Sequence, residues 1–386
     1  MMSAAALFSL AANPAPDTTG VWLVPKVAAA RQASPRLCRL LWMVFMWMAV
    51  SGVSAASLAD DEPDAEDPAS TASQMMTPET ERAVARGLAW LARQQHDDGS
   101  FGTGAYRGNV AVTALAGMAL MSAGNTPERG PRGAAVARIA DYLLEKTQPS
   151  GYIIDQPSAG HGPMYGHGFA AMFLAECYGM TRREDLRPKL VAAVQLIVKS
   201  QNRAGGWRYQ PRPADADVSV TVCQMMALRA ARNAGLHVSE ETIRRSEEYV
   251  TRCQNADGGF MYMLENPGDS AFARSAAAVV GLNSVGMYEG PRIDQAIDYL
   301  LQFTPTDRPA REEQYYLYGQ YYAVQAMWQR GGEPWRAWFP AVRDQFVRRQ
   351  EEDGSWNSRV VDRTYGTAMA LIVLQIPNNY LPIFQR

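Results

Sequence analysis

The sequence predicts an all-α protein built as a closed double ring, with six amphipathic helices outside six apolar ones. The first observation is a repeat, because Gln95, Gln148, Gln201 and Gln254 follow one another at intervals of 53 residues. A fixed period of this size is typical of stacked helical units. The second observation is that no segment alternates apolar and polar residues as a half-buried strand does. The third is that the sixth apolar run is as apolar as the third, which only closure of the ring explains.

The repeated glutamines end amphipathic helices, which carry charged residues on one face and apolar residues at helical spacing on the other. Thr77-Pro78-Glu79 starts the first of them with a capping hydroxyl, a proline at the first helical position and an acid in the first turn. The predicted outer helices are 78–95, 132–147, 186–201, 239–254, 291–303 and 335–350. The predicted inner helices, apolar on nearly all sides, are 109–123, 165–179, 217–233, 270–286, 315–330 and 364–375.

A glycine turn followed by an aromatic residue joins the outer and inner helices of most units. Gly205 permits the left-handed backbone that ends an outer helix. Trp207 is expected to pack back on the helix pair, and Gln201 to bond the backbone of the adjoining unit. The same pairs recur as Gly99 with Phe101, Gly258 with Phe260 and Gly354 with Trp356.

Residues 1–56 are predicted to be an export segment, so that the protein reaches the periplasm or cell envelope or is secreted. Basic residues precede the apolar run 40–50, and small residues up to Ala56 offer a cleavage site. The alternative is an uncleaved membrane anchor over residues 40–57, although the apolar run is shorter than a span of roughly 20 residues. The basic residues are Arg31, Arg36 and Arg39.

Residues 57–76 are acidic and contain proline and serine, which predicts a solvated linker before the helical domain at 77–386. The net charge of −2 and the lack of a basic stripe argue against a nucleic-acid partner. Cysteines 177, 223 and 253 lie far apart on helical runs and are expected to be free core residues.

The repeat resembles the QW-type motif of the prenyltransferase and squalene-cyclase superfamily. Further copies surround Gln201 and Gln254, Gln350 keeps the second half of the motif, and the unit at Gln148 is two residues short. The fifth unit lacks the motif. The resemblance covers residues 77–386 and implies the α/α toroid of that family, a barrel of six inner and six outer helices. The fullest copy is Arg86-Gly87-x-x-Trp90-Leu91-x-x-x-Gln95-x-x-x-Gly99-x-Phe101.

The resemblance also implies a proton donor. Squalene-hopene-type cyclases carry a D-x-D-D motif at the start of an inner helix, and its middle Asp protonates the isoprenoid. Asp215-Ala216-Asp217-Val218 stands at that place, so the resemblance assigns donation to Asp217, with Asp215 beside it. Val218 replaces the last Asp, and this chain has one barrel where those cyclases have two. The D-x-C of zinc prenyltransferases and the G-C-G-E-Q of thioester relatives are absent, and we predict no metal and no cofactor.

In such a ring the inner helices begin at one mouth of the barrel, where polar residues are candidates for chemistry. His161 and His167 come from the unit next to the aspartates, and one or the other is expected to lie near Asp215 or Asp217 as a catalytic partner. The structural alternatives are that Asp217 only caps its helix and that the histidines only hold a loop. The candidate substrate-binding residues at the mouth are Tyr165, Arg274, Tyr315, Tyr318 and Tyr365.

Three functions follow, and the sequence leaves open whether the chain is an enzyme. The first is an exported prenyltransferase-like or cyclase-like toroid that binds or transforms an isoprenoid in the barrel, with peripheral contact to a membrane. The second is a non-catalytic scaffold or binding toroid of the cell envelope. The third is an exported carbohydrate-active α/α barrel, in which two carboxylates flank the glycosidic bond. An apolar aromatic cavity favours the first, a filled barrel the second and a polar cleft with paired acids the third.

Overall fold

The computed structural model describes residues 75–160, 162–306 and 315–386, so the expected export segment 1–56 and nearly all of the linker lie outside it. This part of the chain holds twelve α-helices and no strand beyond isolated bridges, which confirms the all-α prediction. The outer helices are α1 (Pro78–Arg93), α3 (Gly133–Glu145), α5 (Leu186–Ser200), α7 (Glu240–Arg252), α9 (Pro291–Leu301) and α11 (Gly332–Arg348). The inner helices are α2 (Val110–Met121), α4 (Pro163–Met180), α6 (Val218–Asn233), α8 (Phe272–Ser284), α10 (Tyr316–Arg330) and α12 (Arg363–Gln375).

The inner helices form a closed ring, in which each packs against the next and α12 packs against α2. Outer helix α11 likewise contacts α1. The side-chain amide of Gln350 donates to the carbonyl of Ala83 at 2.8 Å, and the indole of Trp90 donates to Asp353 at 3.2 Å. The last unit therefore touches the first, as the repeat pattern predicted. Among the described residues no helix is both long and apolar enough to cross a membrane.

Four of the repeated glutamines, Gln95, Gln201, Gln254 and Gln350, join neighbouring units in the same way. Gln201 Nε2 donates to the carbonyl of Gly205 in its own turn (2.8 Å) and to that of Thr242 in the next outer helix (2.9 Å). The first carbonyl belongs to the glycine turn and the second to the first turn of the next outer helix, so one side-chain amide ties the turn of one unit to the helix of the next. The equivalent pairs are Gly99 and Ala135 for Gln95, Gly258 and Arg292 for Gln254, and Gly354 and Ala83 for Gln350.

In four of the turns the aromatic residue is buried, and a hydroxyl on the inner helix holds its backbone N–H. The backbone N–H of Trp207 donates to Thr221 Oγ1 at 3.0 Å, and the indole N–H donates to the carbonyl of Ile197 at 2.7 Å. The turn reaches this position because Gly205 has φ +101° and packs against the backbone of Arg245. Equivalent backbone bonds join Phe101 to Thr113, Phe260 to Ser275 and Trp356 to Thr367.

The end of the barrel opposite the inner-helix starts is closed by the segment after α12, which contains the short 3₁₀ turn Pro382–Phe384. Arg229 of α6 donates to the carbonyl of Gln385, and Gln329 of α10 donates to the carbonyl of Phe384. The Phe384 ring packs edge-on against Tyr321, whose side chain is fully buried. In the part of the chain that the structure describes, the barrel is thus filled at this floor, and its open end is the opposite one.

Candidate functional site

A cavity of about 1320 Å³ lies at the end of the barrel where the inner helices begin. Its wall includes residues from the first two turns, or the residue just before the first turn, of all six inner helices. Leu115 and Phe169 line it in the second turns of α2 and α4. Beyond Phe169 the barrel is filled, because that ring packs edge-on against Tyr321. The inner helices therefore converge on one mouth, and each directs the positive end of its dipole towards the cavity.

The five candidate substrate-binding residues all line this cavity. The ring of Tyr315 is 55% exposed and stands at the rim. The guanidinium of Arg274 is fixed from behind, because it donates to the backbone carbonyls of Phe260 (2.9 Å) and Asp269. Tyr165, Tyr318 and Tyr365 lie deeper, where burial raises the pKa of each phenol far above its usual value, so the hydroxyls stay protonated. Further aromatic wall residues are Tyr106, Phe169, Phe346 and Trp356.

Asp217 caps helix α6 and is buried. Its Oδ1 accepts from the backbone N–H of Val220 at 2.9 Å, and its own N–H donates to the carbonyl of Trp207 at 3.0 Å. The side chain has no exposed surface and does not line the cavity. Burial raises the pKa of this carboxyl to about 6, against the lowering by the Val220 N–H and by Arg208. The cap and an acid role are compatible, because a carboxyl with this pKa holds a proton in mildly acidic solution.

Arg208 is the charged partner of both aspartates. Its Nη1 lies 3.4 Å from Asp217 Oδ2, and its Nε lies 3.2 Å from Asp215 Oδ2. The guanidinium also stands over the rings of Tyr209 and Tyr262, 4.5 and 5.3 Å from their centroids. Asp215 is half exposed, whereas Asp217 is enclosed, so the arginine connects a solvated acid to a buried one.

The hydroxyls of Tyr209 and Tyr262 are hydrogen bonded to each other at 2.6 Å, and both residues line the cavity. Neither these two tyrosines nor Arg208 was among the site residues predicted from the sequence. The repeat could have identified the two tyrosines. Tyr209 and Tyr262 are one repeat period apart, and each follows the buried aromatic residue of its turn by two positions. Ser358 occupies the same position in the last unit, two residues after Trp356, and also lines the cavity.

His167 does not pair with the aspartates, which corrects that expectation. Its Nδ1 accepts from the backbone N–H of Ile153 at 3.2 Å, and its Nε2 lies 3.3 Å from the carbonyl of Ala193. In the degenerate second unit it takes the place of the Thr or Ser hydroxyl that anchors other turns. Burial lowers the pKa of His167 to about 4, so the ring is neutral and structural. His161 lies outside the described residues.

The described residues that line the cavity include few acidic side chains. Glu351 is their only carboxylate, and Asp217 lies behind the wall. The lining contains four arginines, which are Arg274, Arg348, Arg349 and Arg359. Nowhere in the described part of the chain do three or more His, Cys, Asp or Glu side chains form a group that could hold a metal ion.

A family model for the prenyltransferase alpha-alpha toroid domain matches residues 69–302, which is more than half of the chain. The chain belongs to this family. The family assignment agrees with the resemblance of the repeat. The glutamines that carry the resemblance bond neighbouring units in this toroid, and the aromatic residues bond the helix pair of their own unit.

Solved structures similar to this toroid have diverse activities. The type II terpene cyclase MstE from Scytonema, in complex with merosterolic acid A, is 14% identical with a TM-score of 0.57, over 78% of this chain and 97% of that one. Cellobiose 2-epimerase from Bacillus thermoamylovorans B4167 is 11% identical with a TM-score of 0.58, over 80% and 99%. An inactive variant of the α-1,6-mannanase GH76A of Salegentibacter sp. HEL1_6 is 10% identical with a TM-score of 0.54, over 77% and 98%. At these identities the likeness shows the fold.

Proposed function

We propose that this toroid binds an isoprenoid or a similarly apolar molecule in the mouth cavity and converts it by protonation, with Asp217 as the source of the proton. The observation that carries the proposal is a cavity of about 1320 Å³ walled by aromatic and aliphatic side chains, beside a buried carboxyl whose pKa is raised to about 6. The volume exceeds the ~300–1,000 Å³ usual for small-molecule pockets, which suits an extended hydrocarbon chain.

The wall chemistry supports an apolar ligand over a sugar. A glycosidase needs two carboxyls that flank the bond to be cleaved. In the described lining Glu351 stands alone, and Asp217 is enclosed behind the tyrosines. Aromatic faces such as those of Tyr165, Tyr318 and Tyr365 stabilise a carbocation through their negative ring faces. The open mouth also argues against a purely structural barrel.

The relatives support the same class. The cyclase MstE has been solved with geranylgeranyl dihydroxybenzoate as substrate, a molecule with an apolar prenyl chain and a polar aromatic head. By analogy, we propose that the prenyl chain enters the aromatic part of the cavity and that the polar head remains at the arginine-bearing rim. The apolar side chains at the rim, Tyr315 and Val360, are then the surface that meets a membrane when a lipid-soluble ligand is taken up.

The decisive experiment measures ligand conversion. The purified toroid is incubated with geranylgeranyl dihydroxybenzoate and with squalene, and products of unchanged mass but altered retention are sought by liquid chromatography and mass spectrometry. Conversion is expected to fall as the pH rises through about 6, because only the protonated carboxyl of Asp217 donates. Native mass spectrometry of the protein as isolated tests for a co-purified lipid.

The matched variants separate capping from catalysis. Asp217→Asn keeps the helix cap and is expected to keep the fold but lose conversion, because Asn caps about as well as Asp. Asp217→Ala is expected to lose ~1 kcal/mol of stability as well. A wild-type protein that binds no prenyl compound, with Asp217→Asn indistinguishable from it, would favour the scaffold function.

We also propose that the chain is exported. The support is the order of basic, apolar and small residues before Ala56. Mass spectrometry of the N-terminus of protein isolated from the cell envelope is expected to find a chain that begins near Ala56. Recovery of peptides that span residues 31–50 would indicate the membrane anchor instead.

A further inference from the structure

The proposed proton source and the proposed binding cavity are separated by a layer of side chains. Asp217 has no exposed surface and does not line the cavity, although helix α6 begins beside it. The adjacent residue that does line the wall is Ser219, together with Tyr209 and Tyr262 from the turns of the third and fourth units. A ligand in the cavity therefore meets hydroxyl groups before it meets the carboxyl.

The two tyrosines bridge that layer. Tyr262 is placed beside Asp217 by the backbone, because the N–H of Val218, the next residue after Asp217, donates to the Tyr262 carbonyl at 3.0 Å. The Tyr262 hydroxyl also acts to lower the pKa of the Asp217 carboxyl. The same hydroxyl lies 2.6 Å from that of Tyr209, a short distance for an O–H···O bond. Arg208 keeps both rings in place by standing over them, and it touches the carboxyl as well. The Asp217 carboxyl, Tyr262 and Tyr209 therefore lie together around Arg208, and the bonded pair of tyrosine hydroxyls belongs to residues of the cavity wall.

We propose that Tyr262 and Tyr209 carry the proton from Asp217 to the bound molecule, so that the residue that touches the reacting atom is a tyrosine. This inference rests on the proposed function. Asp217 gives its proton to the Tyr262 oxygen, Tyr262 gives its own to Tyr209, and Tyr209 gives its own to a double bond of the ligand. No electron is transferred. The ligand becomes a carbocation, the carboxyl becomes a carboxylate beside Arg208, and the proton lost when the product forms returns along the same chain.

The surroundings of Asp217 allow the step. Among the described residues, the only positive group that acts on its carboxyl is the guanidinium of Arg208, and its other titratable neighbours are neutral in mildly acidic solution. Burial raises the pKa of the neighbouring phenols and thiol. The Arg208 charge is shared with Asp215, so the carboxylate formed after donation is partly compensated. The titratable groups that face Asp217 are Arg208, Tyr165, Tyr249, Cys253, Tyr262 and Tyr318.

The first arm of the test needs no substrate. The infrared carbonyl band of the protonated carboxyl is identified as the band that Asp217→Asn removes, and its pH midpoint is measured. Tyr262→Phe is expected to shift the band and raise the midpoint, because the hydroxyl that stabilises the carboxylate is gone. Tyr209→Phe is expected to shift both in the same direction by a smaller amount. Tyr380→Phe, on an exposed ring, is the control and changes neither.

The second arm measures conversion of the prenyl probes. Tyr262→Phe and Tyr209→Phe are each expected to lower kcat ~100-fold with KM little changed, the usual size of a lost proton-transfer group. In mixtures of H₂O and D₂O the wild-type rate is expected to curve with deuterium content, because several protons move together. Circular dichroism checks that both variants are folded.

The outcomes are distinguishable. Wild-type rates in both tyrosine variants, with an unaltered carboxyl band, would overturn the relay and leave Asp217 as the direct donor. A shifted band in both variants, together with no conversion of any prenyl probe by the wild type, would support the coupled chain from carboxyl to cavity and reject the proposed function.

Discussion

A buried carboxyl in the floor of the barrel shows how a single residue makes stability depend on pH. Glu176 of α4 is 3% exposed, and burial raises its pKa to about 8 although the Ile383 N–H and Arg229 act to lower it. The folded protein therefore binds this proton more tightly than the unfolded chain, whose carboxyl has a pKa of 4.5. Stability falls as the pH rises from that value to about 8.

Glu176→Gln is expected to remove this dependence, because the amide cannot ionise. The free energy of unfolding of the wild type is expected to fall by up to about 5 kcal/mol across the window, from 1.36 kcal/mol per pKa unit. The variant is expected to change little and to be the more stable protein at pH 8. Urea unfolding at pH 5 and pH 8 measures the difference, with exposed Glu352→Gln as the control. Equal slopes in the two variants would contradict the assignment to Glu176.

Thr221 stabilises the fold through one buried hydrogen bond, in which its hydroxyl accepts from the backbone N–H of Trp207. Thr221→Val keeps the shape of the side chain but leaves the N–H of Trp207 buried without its acceptor, a loss of ~1–3 kcal/mol. Thr221→Ser keeps the hydroxyl and is expected to cost less. Chemical denaturation of the three proteins measures the order. A valine variant as stable as the serine variant would show that the hydroxyl does not hold the turn.

At the scale of elements, every helix was predictable to within three residues, because apolar periodicity, proline starts and glycine ends act locally. The mouth was predictable too, since the inner helices all begin at one end. The partner of Asp217 was not. Arg208 and Tyr262 reach it from the turns of two successive units, and turn geometry follows from the bonds between units. The prediction for His167 was wrong because His167 occupies the position that Thr221 has in its own unit. Only an alignment of the repeats shows this equivalence, and the residue type alone does not.

The glycine turns can be tested as elements by comparing two glycines that share a left-handed backbone. A Cβ on Gly205 would lie 2.0 Å from the carbonyl oxygen of Arg245, whereas one on Gly235 meets nothing within 4 Å. Gly235→Ala is therefore expected to cost only the ~1–2 kcal/mol of an alanine at positive φ. Gly205→Ala carries the same strain plus a backbone collision, and a larger loss is expected. Thermal unfolding of both variants checks the order, and equal losses would mean that the turn relaxes freely.

For the whole molecule, the closed ring means that the joint between the last and first units is equivalent to the joints inside the chain. Gln350→Ala and Gln201→Ala each leave two backbone carbonyls without the donor that joins the units. We expect both to lower the free energy of unfolding by ~1–3 kcal/mol and to keep a single transition. If Gln350→Ala alone produced a second, earlier transition, the ring would open at this joint before the remainder unfolds.

The bond between Gln350 and Ala83 joins residues that are 267 positions apart and are therefore synthesised at different times. At ~5–20 residues per second, the ribosome needs roughly 13 to 53 s after Ala83 before Gln350 leaves it. During that time the apolar inner helices already made have no partner on one side. The ring of a newborn chain therefore stays open, with apolar surface at its free end, until the last unit has been made.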